Sequence, residues 1–459
     1  MLSPFLSSDT IVALSTPPGI SGIGIVRISG KESLKILKRI FRHKKDITPH
    51  HLIYGHIIDP KNDEIIDEVL AVYMQKPKTY TREDIVEINC HGGLYVIKKI
   101  ISLVLSEGAR LAEPGEFTKR AYLNGRIDLT QAEAVIDIVK SKTEKAVYLA
   151  QRQLKGELSK KVKKIQDELK EIISLVEAHI DFPEEDIPFP VDEIIEKVKK
   201  IKTSITMLIS TYKEGQMIKE GIKTVIAGRT NVGKSSLLNA LLEKERAIVT
   251  PIPGTTRDII EDSIEINGFP FILYDIAGIR DSKDVIEKEG MKRAIKSIED
   301  ADLIIFVLDG SEPLKKEDYD IFELIKDKNL IIVKNKIDLP QKIELKKIKR
   351  DFKNKNIIDI SALKGDGIEE LKNKMGSVSL FGGADYIEEK IAINFRQKLL
   401  LEKSEIALSQ AIDAINDNIG LEFIALDLRE AMDALGEIVG QVTSEDILNN
   451  IFSQFCIGK

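Results

Sequence analysis

The chain has no tryptophan, aromatic residues make up only 5% of it, and it contains just two cysteines, Cys90 and Cys456. Two thiols are too few for a disulfide framework, which sets aside the small secreted scaffolds and fits a reducing compartment. No apolar run reaches the roughly 18 residues that span a bilayer, and the N-terminus lacks a basic stretch followed by an apolar core. The expectation is a soluble, unexported, cytoplasmic protein with no membrane partner. Basic residues do not dominate, since 68 Lys and Arg face 74 Asp and Glu for a net charge of -6. That excludes a chain-wide field for nucleic acid and leaves room for a local basic patch on one domain. What the chain does have is charge, 31% of its 459 residues, as suits long solvated helices. Its length suggests about three domains of ordinary size.

Residues 1–118 mix strand-like runs (Ile11 to Leu14, Gly24 to Ile28, Val69 to Tyr73, Ile85 to Ile88) with short amphipathic stretches (Ser33 to Phe41, Val96 to Leu105), which predicts a small α+β domain. Two glycine clusters, Pro17 to Gly24 and His91-Gly92-Gly93, do not fit a dinucleotide fingerprint and read from spacing as turns and bulges. Across 119–215 the pattern turns helical. Leu158, Val162, Ile165, Leu169, Ile172 and Val176 step by four and three, a packing seam, and His179 reads as a helix-end residue. The acidic, proline-broken stretch Asp181 to Pro190 reads as a solvated linker, because it lacks metal-ligand spacing. Residues 216–376 alternate apolar runs with helices, which predicts a mostly parallel sheet covered on both faces. Residues 377–459 are helical again, with Ile424, Leu428, Ala431, Leu435 and Ile438 in the same stepping. Each helical block exposes an apolar stripe that must be covered. The economical fold is one helical domain built from both blocks with the α/β domain inserted between them.

The inserted region carries the chemistry. Gly228-Arg229-Thr230-Asn231-Val232-Gly233-Lys234-Ser235 follows a strand and opens a helix, the context a phosphate-binding loop needs. Backbone N–H groups through Ser236 and the positive helix end can cradle phosphates, Lys234 can reach them, and the Ser235 hydroxyl can ligate Mg²⁺. Asp275 and Gly278, in Asp275-Ile276-Ala277-Gly278, supply a carboxylate for the Mg²⁺ shell and an N–H for the γ-phosphate, and Thr255 and Thr256 supply a further hydroxyl ligand. Asn335-Lys336-Ile337-Asp338, with Ser361-Ala362 after the next strand, points to GTP. A carboxylate at Asp338 accepts from the guanine N1–H and 2-amino group, donors that adenine does not offer. The water-orienting Gln of Ras-like enzymes is absent, since Ile279 stands in its place, and nothing local supplies the missing function.

These motifs sit within a longer resemblance. Asp9 to Ala13 through Thr16-Pro17-Pro18-Gly19, Tyr80 to Glu87 before Cys90-His91-Gly92-Gly93, Pro114 to Thr118 with Asn124-Gly125-Arg126, Asp181-Phe182-Pro183, the GTPase motifs and the terminal Cys456-Ile457-Gly458-Lys459 all resemble the MnmE (TrmE) family of tRNA-modifying GTPases, over essentially the whole chain. The resemblance implies a multidomain fold: an N-terminal α+β folate-binding and dimerisation domain (1–118), a discontinuous α-helical domain (119–215 and 377–459) and an inserted Ras-like P-loop GTPase domain (216–376). It implies a homodimer that works with an FAD-dependent partner to modify C5 of the wobble uridine of certain tRNAs. The carbon comes from a tetrahydrofolate of the 5-formyl or 5,10-methylene type, with FAD only on the partner.

For the missing Gln the resemblance implies K⁺ held by Asn231, Thr250, Ile252 and Thr255, with Ser235 and Thr256 on Mg²⁺ and Glu287 positioning water. It implies folate contacts at Arg27, Glu87 and Arg126, with Lys459 reaching the site from the C-terminus, and it makes Cys456 a candidate for covalent chemistry. Two departures stand out: Arg126 replaces the Lys expected in some members, with charge retained, and Ile276 replaces the commoner Thr. Two other classes compete. A ribosome-assembly switch shares the GTPase motifs, and a dynamin-like membrane remodeller would also join a GTPase to long helices.

Overall fold

A computed structural model describes residues 9–44, 46–182, 188–243, 262–275, 295–352, 356–379 and 391–459. The chain packs as two compact units. One comprises Met1–Val139, Arg152–Thr206 and Leu399–Lys459, the other Lys140–Gln151 and Met207–Lys398.

The first unit opens on a seven-stranded sheet. Its strands are β1 (Ile11–Leu14), β2 (Ser21–Ser29), β3 (Phe41–Arg42), β4 (Leu52–Asp59), β5 (Glu64–Met74), β6 (Ile85–Gly92) and β7 (Arg110–Leu111), in the spatial order β3-β4-β5-β6-β2-β1-β7. All pairs are antiparallel except β1 with β7. Side chains alternate across the pleat, so Val26, Ile28, Val69, Ala71, Val86 and Ile88 enter a core closed by the helices Ser33–Ile40 and Leu94–Ser106. The strand Leu52–Asp59 was hidden from the sequence because Tyr54, Gly55 and His56 break its apolar pattern. Its pairing with β5 over eight positions supplies what propensity did not. The first glycine cluster ends in β2, where the register against β6 shifts between Ser21 and Gly24, a bulge rather than a dinucleotide loop.

Both helical blocks meet in this unit. Helices Glu157–Asp181 and Leu421–Val439 pack on each other along the two predicted stripes, and Leu158, Val162, Leu169, Val176, Leu428, Ala431 and Leu435 are fully buried. Gln166 bonds Gln441 at 3.0 Å and Arg429 meets Glu177 at 2.5 Å. His179 is a packing residue: its Nδ1 lies 2.9 Å from Leu175 O and its ring stands edge-on to Phe189.

The second unit holds β8 (Ile222–Ala227), β9 (Asp262–Ile266), β10 (Phe269–Asp275), β11 (Leu303–Asp309), β12 (Leu330–Asn335) and β13 (Ile357–Asp359), ordered β13-β12-β11-β8-β10-β9. Five strands run parallel, and β9 joins as an antiparallel edge. Strands β11 and β12 are buried throughout. Ile305, Val307, Ile331 and Val333 feed one core, while Ile304, Phe306, Leu308 and Ile332 feed the core on the opposite face. That is why these strands read as continuous apolar runs. The helix Glu144–Leu154 contributes Ala146 and Leu149 to the first of these cores, and Lys145 Nζ lies 4.0 Å from the Phe269 ring centroid. Nothing in its periodicity marked this docking.

Candidate functional site

Strand β8 lies inside the parallel sheet and ends at Ala227, and the loop toward the helix Lys234–Glu243 begins at Gly228. Asn231 (φ 65°) and Gly233 (φ 97°) both take left-handed backbone, which turns successive N–H groups toward a common centre. A Cβ at Gly233 would lie 2.3 Å from Asn335 Nδ2, so the residue is glycine by space as well as by φ. Lys234 is buried and its Nζ donates to Gly228 O and Arg229 O at 2.9 Å each. Burial pulls its pKa below the usual lysine value against the opposing charge of Asp275. An ammonium held, among the described residues, by two carbonyls can exchange them for phosphate oxygens.

Ser235 Oγ donates to Asp275 Oδ2 at 2.9 Å, while Asp275 Oδ1 is buried with no hydrogen-bond partner among the described residues. A hydroxyl beside a carboxylate with one buried, unsatisfied oxygen fits a hard divalent cation of the Mg²⁺ type.

The base side of the site is built around Asn335, which is 2% exposed. Its Nδ2 donates to Val232 O at 2.9 Å, and its Oδ1 accepts from Ala362 N at 3.0 Å, so one amide ties the phosphate loop to the segment after β13. Lys336 also has left-handed backbone (φ 67°), and its Nζ donates to Asn231 O at 2.9 Å and to Asp309 Oδ2 at 2.6 Å. Burial works against ionised Asp309, yet hydrogen bonds from Lys336 and Ser311 outweigh it and hold the carboxyl below its ordinary value. Asp338 Oδ1 accepts from Ser361 Oγ at 2.7 Å, and that bond is the largest cause holding its carboxyl below the ordinary value. The structure therefore brings Asn231, Val232, Gly233, Lys234, Ser235, Asp275, Asn335, Lys336, Asp338, Ser361 and Ala362 to one end of the sheet; Ser236 follows in the helix. Thr250, Ile252, Thr255, Thr256, Gly278 and Glu287 lie outside the described residues.

Sequence reasoning overlooked Arg229. Its guanidinium is 9% exposed and meets Glu312 at 2.6 Å and Asp318 at 3.5 Å, the latter without hydrogen-bond geometry. Burial raises the pKa of Asp318, whose carboxylate also accepts from Lys315 N at the start of the helix Lys316–Ile325. This pair anchors the first half of the phosphate loop to that helix. The only available signal was a long cation inside a glycine loop.

The N-terminal candidates divide. Arg27 and Glu87 face each other across β2 and β6, with Nε to Oε1 at 2.7 Å, and Arg27 Nη1 reaches Gly458 O at 3.3 Å. Ser15 Oγ donates to the same carbonyl at 3.3 Å, and the Arg27 guanidinium lies 5.6 Å from the Phe117 ring centroid. The C-terminal tail is thus seated on this corner of the sheet, held below by buried Phe452 and Phe455. Arg126 engages Tyr80 instead, donating to its carbonyl at 2.9 Å with the guanidinium 4.7 Å from the ring, and Tyr80 OH bonds Thr118. Cys456 is a free, exposed thiol, and Lys459 is exposed at the end of the tail. Cys90, by contrast, is buried, its thiol pushed up to about 11 mainly by that burial, which makes it unreactive.

A parallel sheet with a phosphate-type loop, a Ser–Asp pair suited to magnesium and an Asn-Lys-Ile-Asp segment at one end is the layout of a P-loop GTP hydrolase. A family model described as "MnmE helical domain" matches residues 129–456, and one described as "GTP-binding protein TrmE N-terminus" matches residues 10–126. A protein of Thermoanaerobacter sp. (strain X514) described as "tRNA modification GTPase MnmE" is 50% identical over 457 residues, covering 98% of this chain and 99% of that protein. One of Clostridioides difficile (strain 630) with the same description is 49% identical over 457 residues, with the same coverage. Among solved structures, Aquifex aeolicus Era bound to GDP·AlF4⁻ is 34% identical, covering 40% of this chain and 65% of that one, with a TM-score of 0.29. The chain belongs to the MnmE (TrmE) family.

Proposed function

We propose that the protein is a Mg²⁺-dependent, K⁺-stimulated GTPase that, with an FAD-dependent partner, modifies C5 of the wobble uridine of certain tRNAs using a tetrahydrofolate one-carbon unit. The observation that carries this reading is the seating of the Cys456-Ile457-Gly458-Lys459 tail against Ser15 and Arg27, the latter paired with Glu87. A ribosome-assembly switch has no use for a thiol-bearing tail docked on a paired Arg and Glu. Nor does any described helix run long and apolar enough to cross a membrane, as one form of membrane remodeller would need. The functional division 1–118, 119–215, 216–376 and 377–459 follows from this reading, with a cytoplasmic site of action.

In the proposed mechanism Lys234 leaves its two carbonyls for the β- and γ-phosphates, and Asp338, held by Ser361, accepts from guanine. Ser235 and Thr256 would hold Mg²⁺, and Asn231, Thr250, Ile252 and Thr255 would hold K⁺. These ions supply positive charge beside the phosphates when bound. Glu287 would orient water and Gly278 sense the γ-phosphate. Arg27, Glu87, Arg126 and Lys459 would hold the folate, which supplies the carbon, with Cys456 exposed nearby on the tail. Homodimerisation is supported by Leu52, Tyr54 and Leu70, exposed on the outer face of β4 and β5 with Tyr54 opposite Leu70. Apolar side chains adjacent on one open sheet face are a surface to be covered.

Two measurements test the nucleotide part. GTP turnover in K⁺ should fall to the Na⁺ rate in Asn231→Ala, and turnover indifferent to exchanging K⁺ for Na⁺ in the wild type would sink the K⁺ assignment. In Asp338→Asn, guanine loses its acceptor, so GTP affinity should drop by roughly 10²-fold or more while xanthosine triphosphate, with a carbonyl at C2, gains. Equal loss for both nucleotides would show that Asp338 does not read the base.

A further inference from the structure

The turn and first two turns of the helix Glu157–Asp181 carry a charge pattern that the fold does not need. Between Lys155 and Lys164 there are five lysines and one acid, Glu157, in a chain whose net charge is -6. Glu157 is already taken by Arg152 at 2.6 Å. Lys155, Lys160, Lys161, Lys163 and Lys164 are all exposed. Among the described residues only Lys164 has a carboxylate within ion-pair range, Glu168 at 3.9 Å, and that lysine side chain is 75% exposed.

This placement works against the helix. Positive charge near a helix N-terminus opposes the macrodipole, and Lys160 with Lys164, Lys160 with Lys163, and Lys161 with Lys164 stand at the four- and three-residue spacings where like charges repel. Inward positions are unaffected, since Leu158, Val162 and Ile165 fill the core. The lysines therefore serve something outside the fold.

Their position says what. The turn below them is bonded to the segment that continues from Arg126. Gln131 Nε2 donates to Leu154 O at 2.7 Å, Gln153 Nε2 to Thr130 O at 3.3 Å, and the hydroxyls of Thr130 and Ser159 meet at 2.8 Å. Thr130 is fully buried and Gln153 is 3% exposed, so these bonds tie the turn that carries the lysines firmly to the helix Leu129–Lys140.

We propose that this lysine face docks the phosphate backbone of the tRNA substrate, fixing its register while the wobble base reaches the Arg27 corner. The proposal rests on the reading above that this chain itself engages tRNA. Lysines on a regular 3.6-residue lattice make point-charge contacts to phosphates and carry no base code, so the face binds tRNA by its backbone. A second basic helix, Leu345–Phe352 with Lys346, Lys347 and Lys349, belongs to the nucleotide-binding unit and serves as the comparison.

The test uses the full-length protein and an unmodified tRNA transcript with uridine at the wobble position, its affinity read by fluorescence anisotropy over a series of KCl concentrations. The combined variant Lys160→Gln, Lys161→Gln, Lys163→Gln and Lys164→Gln should bind at least tenfold more weakly at about 0.1 M salt, and its log–log salt slope should fall by about three. Its Tm should not fall, because repulsion is being removed, and its GTP turnover should be unchanged. An unaltered Kd and slope in this folded variant would overturn the proposal, as would an equal loss in Lys346→Gln, Lys347→Gln, Lys349→Gln, which would make the effect one of overall charge. If the wild type binds the transcript no better than an unrelated acidic protein, the reading of this chain as a direct tRNA binder falls, and the docking face with it.

Discussion

Replacing Gly233 with alanine is expected to abolish measurable GTP and GDP binding at micromolar nucleotide. The new Cβ would stand 2.3 Å from Asn335 Nδ2, on a residue whose φ is 97°. Asn335 cannot swing aside, because it is 2% exposed and its amide is committed at both ends, to Val232 O and Ala362 N. Either the loop leaves its left-handed turn or Asn335 releases both partners. Backbone strain of about 1–3 kcal/mol and two lost buried hydrogen bonds of about 1 kcal/mol each combine to about 3–5 kcal/mol, a loss of roughly a hundredfold to several thousandfold. Titration with a fluorescent guanine nucleotide checks it, with the melting temperature as a control for folding. Affinity within threefold of wild type would show that the Asn335 tie is dispensable and that the loop is not preorganised by it.

The second large effect is expected at the other end of the chain. Gly458 has φ 96°, and a Cβ there would lie 2.1 Å from Leu14 O, so Gly458→Ala cannot keep the tail where it is. The obstacle is backbone within a sheet strand, which does not yield as a side chain would. The tail is anchored by Phe455 rather than by Gly458, so the expected outcome is local release of the last residues with little change in Tm. Released, the tail removes the Gly458 carbonyl from Arg27 and Ser15 and carries Cys456 and Lys459 away from the Arg27–Glu87 corner. On the folate reading, affinity for 5-formyltetrahydrofolate should fall at least tenfold and wobble-uridine modification should be lost. Calorimetric titration of that ligand, with nucleoside analysis of the tRNA product, measures both. Unchanged folate binding by the variant would remove the tail from the site.

Much of this was legible beforehand because the relevant physics is local. The strand–loop–helix order around Lys234 follows from an apolar run, two glycines and a helix start, and Asn335 to Asp338 is readable because guanine demands a carboxylate at the end of a strand. The stripes Leu158 to Val176 and Ile424 to Ile438 announced a shared helical layer, since each needs cover of the same length and pattern. What stayed hidden is interaction between distant segments. Leu52–Asp59 exists as a strand only because β5 lies beside it, and Ala146 and Leu149 reveal their destination only where Phe269 and Ile266 are already placed.

The class of chemistry is legible in the residues alone, because phosphate and base recognition depend on residue types at short, fixed spacings. Tertiary structure decided what those residues are doing. It put Asn335 between the phosphate loop and Ala362, assigned the buried Arg229 to Glu312 and Asp318, and seated the last residues of the chain on Arg27, 431 positions away. Such pairings arise from chain closure over long loops, where burial and hydrogen-bond satisfaction of the whole fold select the partner. No local propensity encodes that choice.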